Sequence, residues 1–433
     1  MRTRYLKLTS IILTILMIVA VLGTTVLGCG GGEEEDVKEF KIGVITPLSG
    51  PAAHWGVGMY QQIQLAAEDV NEGRQPWGYG DPDGGFTVNG QKYMIKVIAV
   101  DDEGNASKTV TIANDLIFNQ KVNVIIGSMF DDATLALQGI TEANNIPLFA
   151  IEGSTTALRP ENPNTMAGCM NVAGDFYTLY YKFIREAHPE WKTYVDIGAD
   201  SVATTDFERW RAAYDSLYGY NELAALKVDP SATDFRAVLT QAIAMNPDWL
   251  GVGTEFGAGQ TAIMIKQARE LGWEGPCMQV NMTGVQGLVD AVGAGSVSVL
   301  DNCYDPMFIY DGEFAPEGMV PYREHYIERW GAAEWDGVIM QTCVVPFCIE
   351  GAKIAGSVDP ETLAAGILAV PYVNSPMGKV IWGGKALVGV DAIMYCDGMG
   401  FGAIDATGNW TCVVPASASD LADMETAAWS SLY

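Results

Sequence analysis

The sequence predicts an α/β protein with two lobes, each built on a doubly wound, parallel central sheet. From residue 39 onward, short apolar runs alternate with longer segments whose apolar residues recur at helical spacing. Such alternation is typical of parallel sheets that are covered by helices on both faces. The alternation resumes after about residue 170, and a chain of 433 residues is long enough for two domains with sizeable cores. Two such units therefore predict two lobes.

The first unit begins with a buried strand and continues as strand and helix pairs. Its predicted strands are FKIGVITP, VNVIIG and IPLFAI, at residues 40–47, 122–127 and 146–151. The inward faces of its helices carry Tyr60, Ile63, Ala67 and Val70, then Val110, Ala113 and Ile117, then Leu137, Ile140 and Ala143. Asn89-Gly90 predicts a β-hairpin with a two-residue turn, and the Gly/Pro-rich segment before it predicts a surface loop.

The second unit repeats the pattern. Its predicted strands are TYVDIGA, ELAALKV, DWLGVGT and PCMQVN, at residues 193–199, 222–228, 248–254 and 276–281. Its predicted helices contain Phe176, Tyr180 and Phe183, then Trp210 and Leu217, then Phe235 and Leu239, then the segment IMIKQARELG. Open α/β sheets bind ligands at the carboxyl ends of their strands, so the turns after these strands are the expected site.

The turns at the strand ends are rich in hydroxyl groups, backbone donors and aromatic side chains. They include Trp55, the segment from Ser128 to Asp132, Ser154 to Thr156, Thr204 to Asp206, Glu255-Phe256 and Asn281. Backbone N–H groups at helix N-termini suit polar or anionic parts of a ligand, and aromatic rings suit its apolar part. Each serine or threonine is alternatively a helix N-cap, and Trp55 alternatively covers a hydrophobic core.

The N-terminus has the layout of an export signal. Arg2, Arg4 and Lys7 precede an apolar run over residues 11–28, which ends at Cys29 and an acidic, glycine-rich tether. This resembles a bacterial lipoprotein signal, with residues 1–28 removed, Cys29 lipidated and residues 29–38 forming a flexible tether. An uncleaved membrane anchor is the alternative, because the apolar run is long enough to span a bilayer. Both interpretations place most of the chain outside the cytoplasmic membrane.

Composition and motif content exclude several functional classes. The 53 acidic and 25 basic residues give a net charge of -28, a field that repels nucleic acid and anionic membranes. We find no G-x-S-x-G, H-E-x-x-H or phosphate-loop motif, so no enzymatic activity and no cofactor are expected. With three histidines and no C-x-x-C, a metal site is not expected either. One or two disulfides are compatible with export, and Cys277 with Cys303 is the first candidate pair.

Two long segments resemble a known family. KIGVITPLSGPAAHWGVGMYQQIQLAAEDVNEG and VNVIIGSMFDDATLALQGITEANNIPLFAIEGSTTAL are similar to the Leu/Ile/Val-binding family, the type I solute-binding proteins of branched-chain amino acid ABC transporters. The likeness covers most of residues 39–415. It implies two lobes that are joined by a three-crossing hinge and close on a ligand. It also implies an N-terminal lobe of residues 39–170 and 306–390, a C-terminal lobe of 171–305 and 391–415, and a C-terminal tail of 416–433.

The resemblance also assigns candidate ligand-binding residues. Trp55 matches an aromatic contact, Ser154 and Thr155 match a turn that binds α-amino and carboxylate groups, and Thr205 and Phe256 loosely match second-lobe aromatic positions. Asp131, beside Phe130, stands where amino acid binders have a carboxylate-binding serine, and Asn281 stands where they have an acid that pairs with the ammonium. The full candidate set is Trp55, Phe130, Asp131, Ser154, Thr155, Thr205, Glu255, Phe256 and Asn281.

The differences from the family at Asp131 and Asn281 argue against a free amino acid as the ligand, because a buried carboxylate beside a ligand carboxylate is costly. Asp131 alternatively pairs with the ligand ammonium itself, or is a helix N-cap turned away from the cleft. The expected protein is an exported, lipid-anchored monomer that binds an amino acid-like, amide or aromatic acid ligand and delivers it to an ABC permease. A ligand-sensing subunit of a signalling receptor is the alternative. The lipid anchor is the only membrane contact expected, and no nucleic acid partner is expected.

Overall fold

The computed structural model describes residues 37–50, 52–151, 157–201, 204–280, 285–332 and 339–432. The predicted signal peptide, Cys29 and nearly all of the tether lie outside the described residues. No helix in these ranges is both long and apolar enough to cross a membrane.

The first sheet has six strands in the order β2-β3-β1-β4-β5-β6. The strands are β1 (Lys38–Thr46), β2 (Phe86–Val88), β3 (Gln91–Asp101), β4 (Val124–Gly127), β5 (Leu148–Ala150) and β6 (Thr165–Ala167). All neighbouring pairs are parallel except β2 and β3, which form the hairpin predicted at Asn89-Gly90. Both turn residues have positive φ, at 49° and 81°, as this turn type requires.

Three helices follow the strands of the first sheet: α1 (Ala53–Asn71), α2 (Ala106–Asp115) and α3 (Asp131–Ala143). Ile63, Ala67 and Val70 are buried on α1, as their spacing predicts. The prediction for Ala143 is wrong, because this residue is exposed. The buried stripe of α3 advances in steps of four, from Ala133 to Leu137, so Ala143 lies well off the stripe.

The second sheet has seven strands in the order β16-β15-β11-β10-β9-β7-β8. Its strands are β7 (Thr193–Ala199), β8 (Asn221–Val228), β9 (Trp249–Thr254), β10 (Cys277–Met278), β11 (Cys303–Phe308), β15 (Met399–Ile404) and β16 (Trp410–Ala416). β7 to β11 are parallel, whereas β15 and β16 are antiparallel to their neighbours. Its helices are α4 (Val172–Ala187), α5 (Thr204–Tyr218), α6 (Arg236–Ala244), α7 (Ala258–Glu270) and α8 (Val285–Val292).

The two cysteines of the predicted pair are neighbours in this sheet. Cys277 of β10 is in register with Cys303 of β11, and both side chains are buried. The structure records both as thiols, so the disulfide stays a prediction.

The remaining elements complete the first lobe and the hinge. They are α9 (Met319–Trp330), α10 (Val344–Ala355), α11 (Pro360–Leu368), a three-stranded sheet of β12 (Val373–Ser375), β13 (Gly378–Gly383) and β14 (Ile393–Cys396), α12 (Lys385–Val388) and α13 (Ala418–Ser430). The α9 helix packs on the first lobe, where Tyr322 donates a 2.7 Å hydrogen bond to Gln62. The three-stranded sheet packs there too, through the rings of Trp382 and Phe149.

The chain passes between the two lobes at three crossings. The first crossing, residues 168–171, joins β6 to α4; the second, 309–318, joins β11 to α9; and the third, 397–398, joins β14 to β15. The protein thus has the two-lobe α/β fold that the sequence predicts.

Candidate functional site

The candidate site in the first lobe is built on parallel strands whose carboxyl ends share one edge of the sheet. β1 lies between β3 and β4, so the turns that follow these three strands are neighbours. Thr46 at the end of β1 is level with Asp101 at the end of β3. The sequence pattern predicted that the turns after β1 and β4 lie at this edge, and the strand order confirms that these two strands are neighbours.

Asp101 fixes the turn that leads from β1 into α1. Its carboxylate accepts a 2.9 Å hydrogen bond from the backbone N–H of Leu48 and a 2.6 Å bond from the hydroxyl of Ser49. Although slight burial raises the pKa of Asp101, hydrogen bonds from Ser49 and from the N–H groups of Glu103 and Leu48 hold it below its ordinary value. The turn is therefore anchored by an ionised side chain from the neighbouring strand.

Trp55 projects from the first turn of α1. Its side chain is 45% exposed, and its ring contacts that of His54 at a centroid distance of 4.2 Å. This exposure argues against the alternative in which Trp55 covers a core. Gly56, the next residue, is buried against the end of β1, where a Cβ atom would overlap the carbonyl oxygen of Pro47. The close approach of α1 to β1 therefore sets the position of Trp55.

Phe130 occupies the equivalent place after β4. It is 39% exposed, immediately precedes α3, and packs one edge of its ring against Gly104 in the turn after β3. Asp131 is the first residue of α3. Trp55 and Phe130 thus give the first lobe two exposed aromatic rings on the turns of adjacent strands.

Ser128, in the same segment as Phe130, has a structural role. Its buried hydroxyl donates a 2.6 Å hydrogen bond to Asp102, which also accepts from the hydroxyl of Thr109 at 2.9 Å. The hydroxyl of Ser128 is therefore committed to the protein interior.

In the second lobe, the predicted residues separate into exposed and buried ones. Thr205 is exposed in the first turn of α5, after β7, and Glu255 is exposed after β9, the parallel neighbour of β7. Phe256 is only 4% exposed and packs edge-on against Phe235 at 5.6 Å. Glu255 has a φ of 62°, and this backbone turn directs residue 255 outward and residue 256 into the core. The structure thus places Phe256 in the core of this lobe.

Thr204, next to Thr205, uses its side chain to bind the end of β7, and the hydroxyl of Ser201 accepts a 3.3 Å hydrogen bond from the N–H of Thr204 at the start of α5. The buried hydroxyl of Thr204 donates a 2.7 Å hydrogen bond to the carbonyl of Ala199 at the end of β7. Ser154, Thr155 and Asn281 lie outside the described residues, and their roles remain predictions.

The described residues hold no group of three or more His, Cys, Asp or Glu side chains arranged to bind a metal ion. What the strand ends present is exposed aromatic rings in one lobe and an exposed hydroxyl and carboxylate in the other. Such a set of side chains suits non-covalent capture of a small molecule with apolar and polar parts. Sequence reasoning missed Asp101 and Gly56. The signal for Asp101 was its place at the end of a strand, level with the end of β1, and the signal for Gly56 was a glycine in the first turn of a helix.

Comparisons with known proteins cover most of the chain. The family model described as periplasmic binding protein matches residues 39–393. An amino acid binding protein of Pseudomonas aeruginosa is 25% identical over 396 residues, which cover 87% of this chain and 94% of that protein.

Solved structures with the same fold include a leucine-binding protein of Thermotoga maritima, with a TM-score of 0.67 and 17% identity, covering 88% of this chain and 99% of that one. A branched-chain amino acid transporter substrate-binding protein of Streptococcus pneumoniae, in complex with isoleucine, has a TM-score of 0.65 and 16% identity, covering 88% and 100%. A solute-binding protein of R. palustris in complex with benzoate has a TM-score of 0.63 and 16% identity, covering 88% and 96%.

Proposed function

Because the chain belongs to the periplasmic binding protein family, among the type I proteins of the Leu/Ile/Val group, we propose that it captures a small polar organic ligand between its lobes and delivers it to an ABC permease. The observation that carries this proposal is the pair of exposed rings, Trp55 and Phe130, at the strand ends of the first lobe. Large exposed aromatic side chains on the turns of adjacent strands are typical of binding sites.

The proposed mechanism is closure of the two lobes, without any chemical step. In the open form the ligand contacts the aromatic rings of the first lobe. Thr205 and Glu255 on the second lobe complete the contacts when the lobes approach. A ligand that contacts both lobes favours the closed form by the free energy of the added contacts, and the closed form is then recognised by the permease.

The proposed ligand has an apolar or aromatic part as well as a polar part. Its apolar part packs against Trp55 and Phe130. The polar part is amino acid-like, an amide or a carboxylate. Related proteins have been described with leucine, isoleucine and benzoate, so this fold accommodates both aliphatic and aromatic ligands. Asp131 and Asn281 replace residues that hold amino acid groups in the family, which favours an amide or aromatic ligand over a free branched-chain amino acid.

Replacing Trp55 with alanine tests the proposed site. We expect L-leucine, L-isoleucine, acetamide or benzoate to raise the melting temperature of the wild type, and Trp55→Ala to abolish that shift. A ligand at 100 times its Kd stabilises the protein by about 2.7 kcal/mol, which such an assay detects. The melting temperature without ligand should be unchanged, because the ring is 45% exposed.

Phe118→Ala is the matched control, since Phe118 is 50% exposed but precedes β4 and thus lies toward the opposite edge of the sheet. It should leave the ligand-induced shift intact. An unchanged ligand-induced shift of the melting temperature in Trp55→Ala would show that Trp55 does not contact the ligand. A large drop in the melting temperature of ligand-free Trp55→Ala would show that Trp55 stabilises the fold itself.

We further propose that the protein is held at the outer face of the cytoplasmic membrane by a lipid on Cys29. Expressed with its own leader, the wild type should fractionate with membranes, and Cys29→Ser should be released because it lacks the acceptor thiol. Fractionation followed by immunoblotting measures this. Retention of Cys29→Ser in the membrane fraction would instead favour the uncleaved anchor.

A further inference from the structure

The C-terminal helix α13 contacts both lobes beside the hinge. At its start, the N–H of Ala418 donates a 2.8 Å hydrogen bond to Asp397 in the third crossing. Just after its end, the hydroxyl of Ser431 donates a 2.9 Å bond to the carbonyl of Ala213 on α5 of the second lobe. The helix is therefore fixed to the hinge at one end and to the second lobe at the other.

In the middle of α13, Glu425 connects the first crossing to β14, the strand that leads into the third crossing. One oxygen of its buried carboxyl accepts a 3.0 Å hydrogen bond from the amide of Asn171, in the first crossing. The same oxygen accepts a 2.7 Å bond from the hydroxyl of Tyr395, two residues before the third crossing. Gly174 on α4 leaves the space for this approach, because a Cβ atom there would overlap the other oxygen of Glu425.

A second buried carboxyl, that of Asp175 in the first turn of α4, faces Glu425. Within the described part of the chain, no side chain outside the pair hydrogen-bonds to the oxygens of Asp175 or to the second oxygen of Glu425, and the backbone N–H of Asn171 offsets only part of the effect of burial on the pKa of Asp175. Burial first, and then the charge of Glu425, raise the pKa of Asp175 well above its ordinary value. Burial raises the pKa of Glu425 to about 7 despite hydrogen bonds from Tyr395 and Asn171.

Other titratable groups face the pair from two neighbouring elements. Asp206 and Tyr214 face it from α5, and Tyr395 and Cys396 face it from β14. The charge of Asp206 raises the pKa of Glu425 further. Two carboxyls at close range in a buried site cannot both be ionised, so the pair holds at least one proton.

We propose that α13 is a protonation-controlled latch on the hinge. While both carboxyls are protonated, the pair buries no charge, and Glu425 holds Asn171 and Tyr395 together. When Glu425 ionises, its charge is buried, and the cost of that burial favours the release of α13 and loosens both crossings. The latch therefore makes the motion of the lobes sensitive to the acidity of the compartment, whatever the ligand is.

The direction of the pH dependence follows from the raised pKa values. A carboxyl whose pKa is higher in the docked state than in the released state favours docking when protonated. The docking of α13 on the hinge is therefore strongest below the ordinary glutamate pKa of 4.5, and it weakens as the pH rises through the Glu425 pKa of about 7.

Hydrogen exchange of native protein, corrected for the intrinsic pH dependence of exchange, tests the latch. Between pH 6 and pH 8.5, protection of residues 168–171 and 397–398 in the wild type should fall about tenfold, which corresponds to roughly one pKa unit of linkage. Glu425→Gln should remove this pH response. If that variant folds poorly, Tyr395→Phe tests the same group, because loss of its hydrogen bond to Glu425 should move the response to higher pH. Protection of the α1 core, from Ile63 to Val70, should not change, whereas global destabilisation would lower it as well.

Asp305→Asn is the matched control. Asp305 is fully buried in β11, and burial raises its pKa well above the ordinary value, but its carboxyl is not bonded to α13. This variant should keep the wild-type pH response at both crossings. The latch is overturned if protection at the crossings is the same at both pH values, if Glu425→Gln keeps the response, if Tyr395→Phe leaves it at the same pH, or if Asp305→Asn removes it.

Discussion

Gly56→Ala is expected to weaken ligand binding at least tenfold. The Cβ atom of an alanine at this position would overlap the carbonyl oxygen of Pro47 and come within 2.7 Å of the hydroxyl oxygen of Thr46. Both contacts are with the end of β1, which is buried and paired on both sides, so the first turn of α1 must move instead. That turn carries Trp55, and an overpacked contact of this kind costs about 1–3 kcal/mol.

Calorimetric titration of the best ligand from the thermal-shift panel measures the loss, and urea unfolding measures the accompanying change in stability. Gly139→Ala is the matched control, because this glycine also lies within a helix but has no atom within 4 Å of the added Cβ position. It should leave affinity unchanged and stabilise the protein by about 0.5–1 kcal/mol. Unchanged affinity in Gly56→Ala would show that the approach of α1 to β1 does not set the position of Trp55.

Local patterns in the sequence predicted the elements of the fold well. TYVDIGA forms β7 at Thr193–Ala199, as predicted, and the Asn89-Gly90 hairpin has the predicted turn. These elements are specified by residues close together in the chain: a run of apolar residues, or two residues that tolerate positive φ. PCMQVN was predicted as a full strand, but its ladder with β9 and β11 is restricted to Cys277 and Met278. Further backbone bonds run from Leu250 to Pro276 and from Gln279 to Tyr304. The length of that strand depends on its neighbours rather than on its own residues.

The candidate site was predictable in position but not in orientation. Parallel strands bring their ends to one edge, so Trp55 and Phe130 could be placed there from the strand pattern alone. The orientation of Phe256 depends on the positive φ of Glu255, a conformation that a glutamate in the sequence does not predict. Glu425 and Asn171 are 254 positions apart, and no local pattern predicts such a contact. Residues 416–433, expected to be a tail, contain α13, which bonds to two crossings.

Arg211→Met is expected to destabilise the protein by about 3–5 kcal/mol, the usual cost of removing one partner from a buried ion pair. Arg211 on α5 is 1% exposed and lies 2.7 Å from a carboxylate oxygen of Asp196 on β7 and 2.8 Å from one of Glu222 on β8. It also donates a 3.3 Å hydrogen bond to the hydroxyl of Tyr177. Without the cation, two carboxylates remain between the sheet and its helix with no compensating charge from Arg211.

The loss of stability in Arg211→Met should depend on pH. Burial raises the pKa of Glu222 to about 7 even though Arg211 lowers it, so removing Arg211 should raise it further. Because a raised pKa in the folded state favours the protonated form, the variant should lose more stability at pH 8 than at pH 5. Urea unfolding at both pH values measures this, with Arg209→Met, an exposed arginine on the same helix, as the control. Adding Asp196→Asn and Glu222→Gln to Arg211→Met should recover much of the loss, because no uncompensated charge is then buried. A loss that is equal at both pH values and is not recovered would mean that Arg211 stabilises the lobe through packing rather than charge.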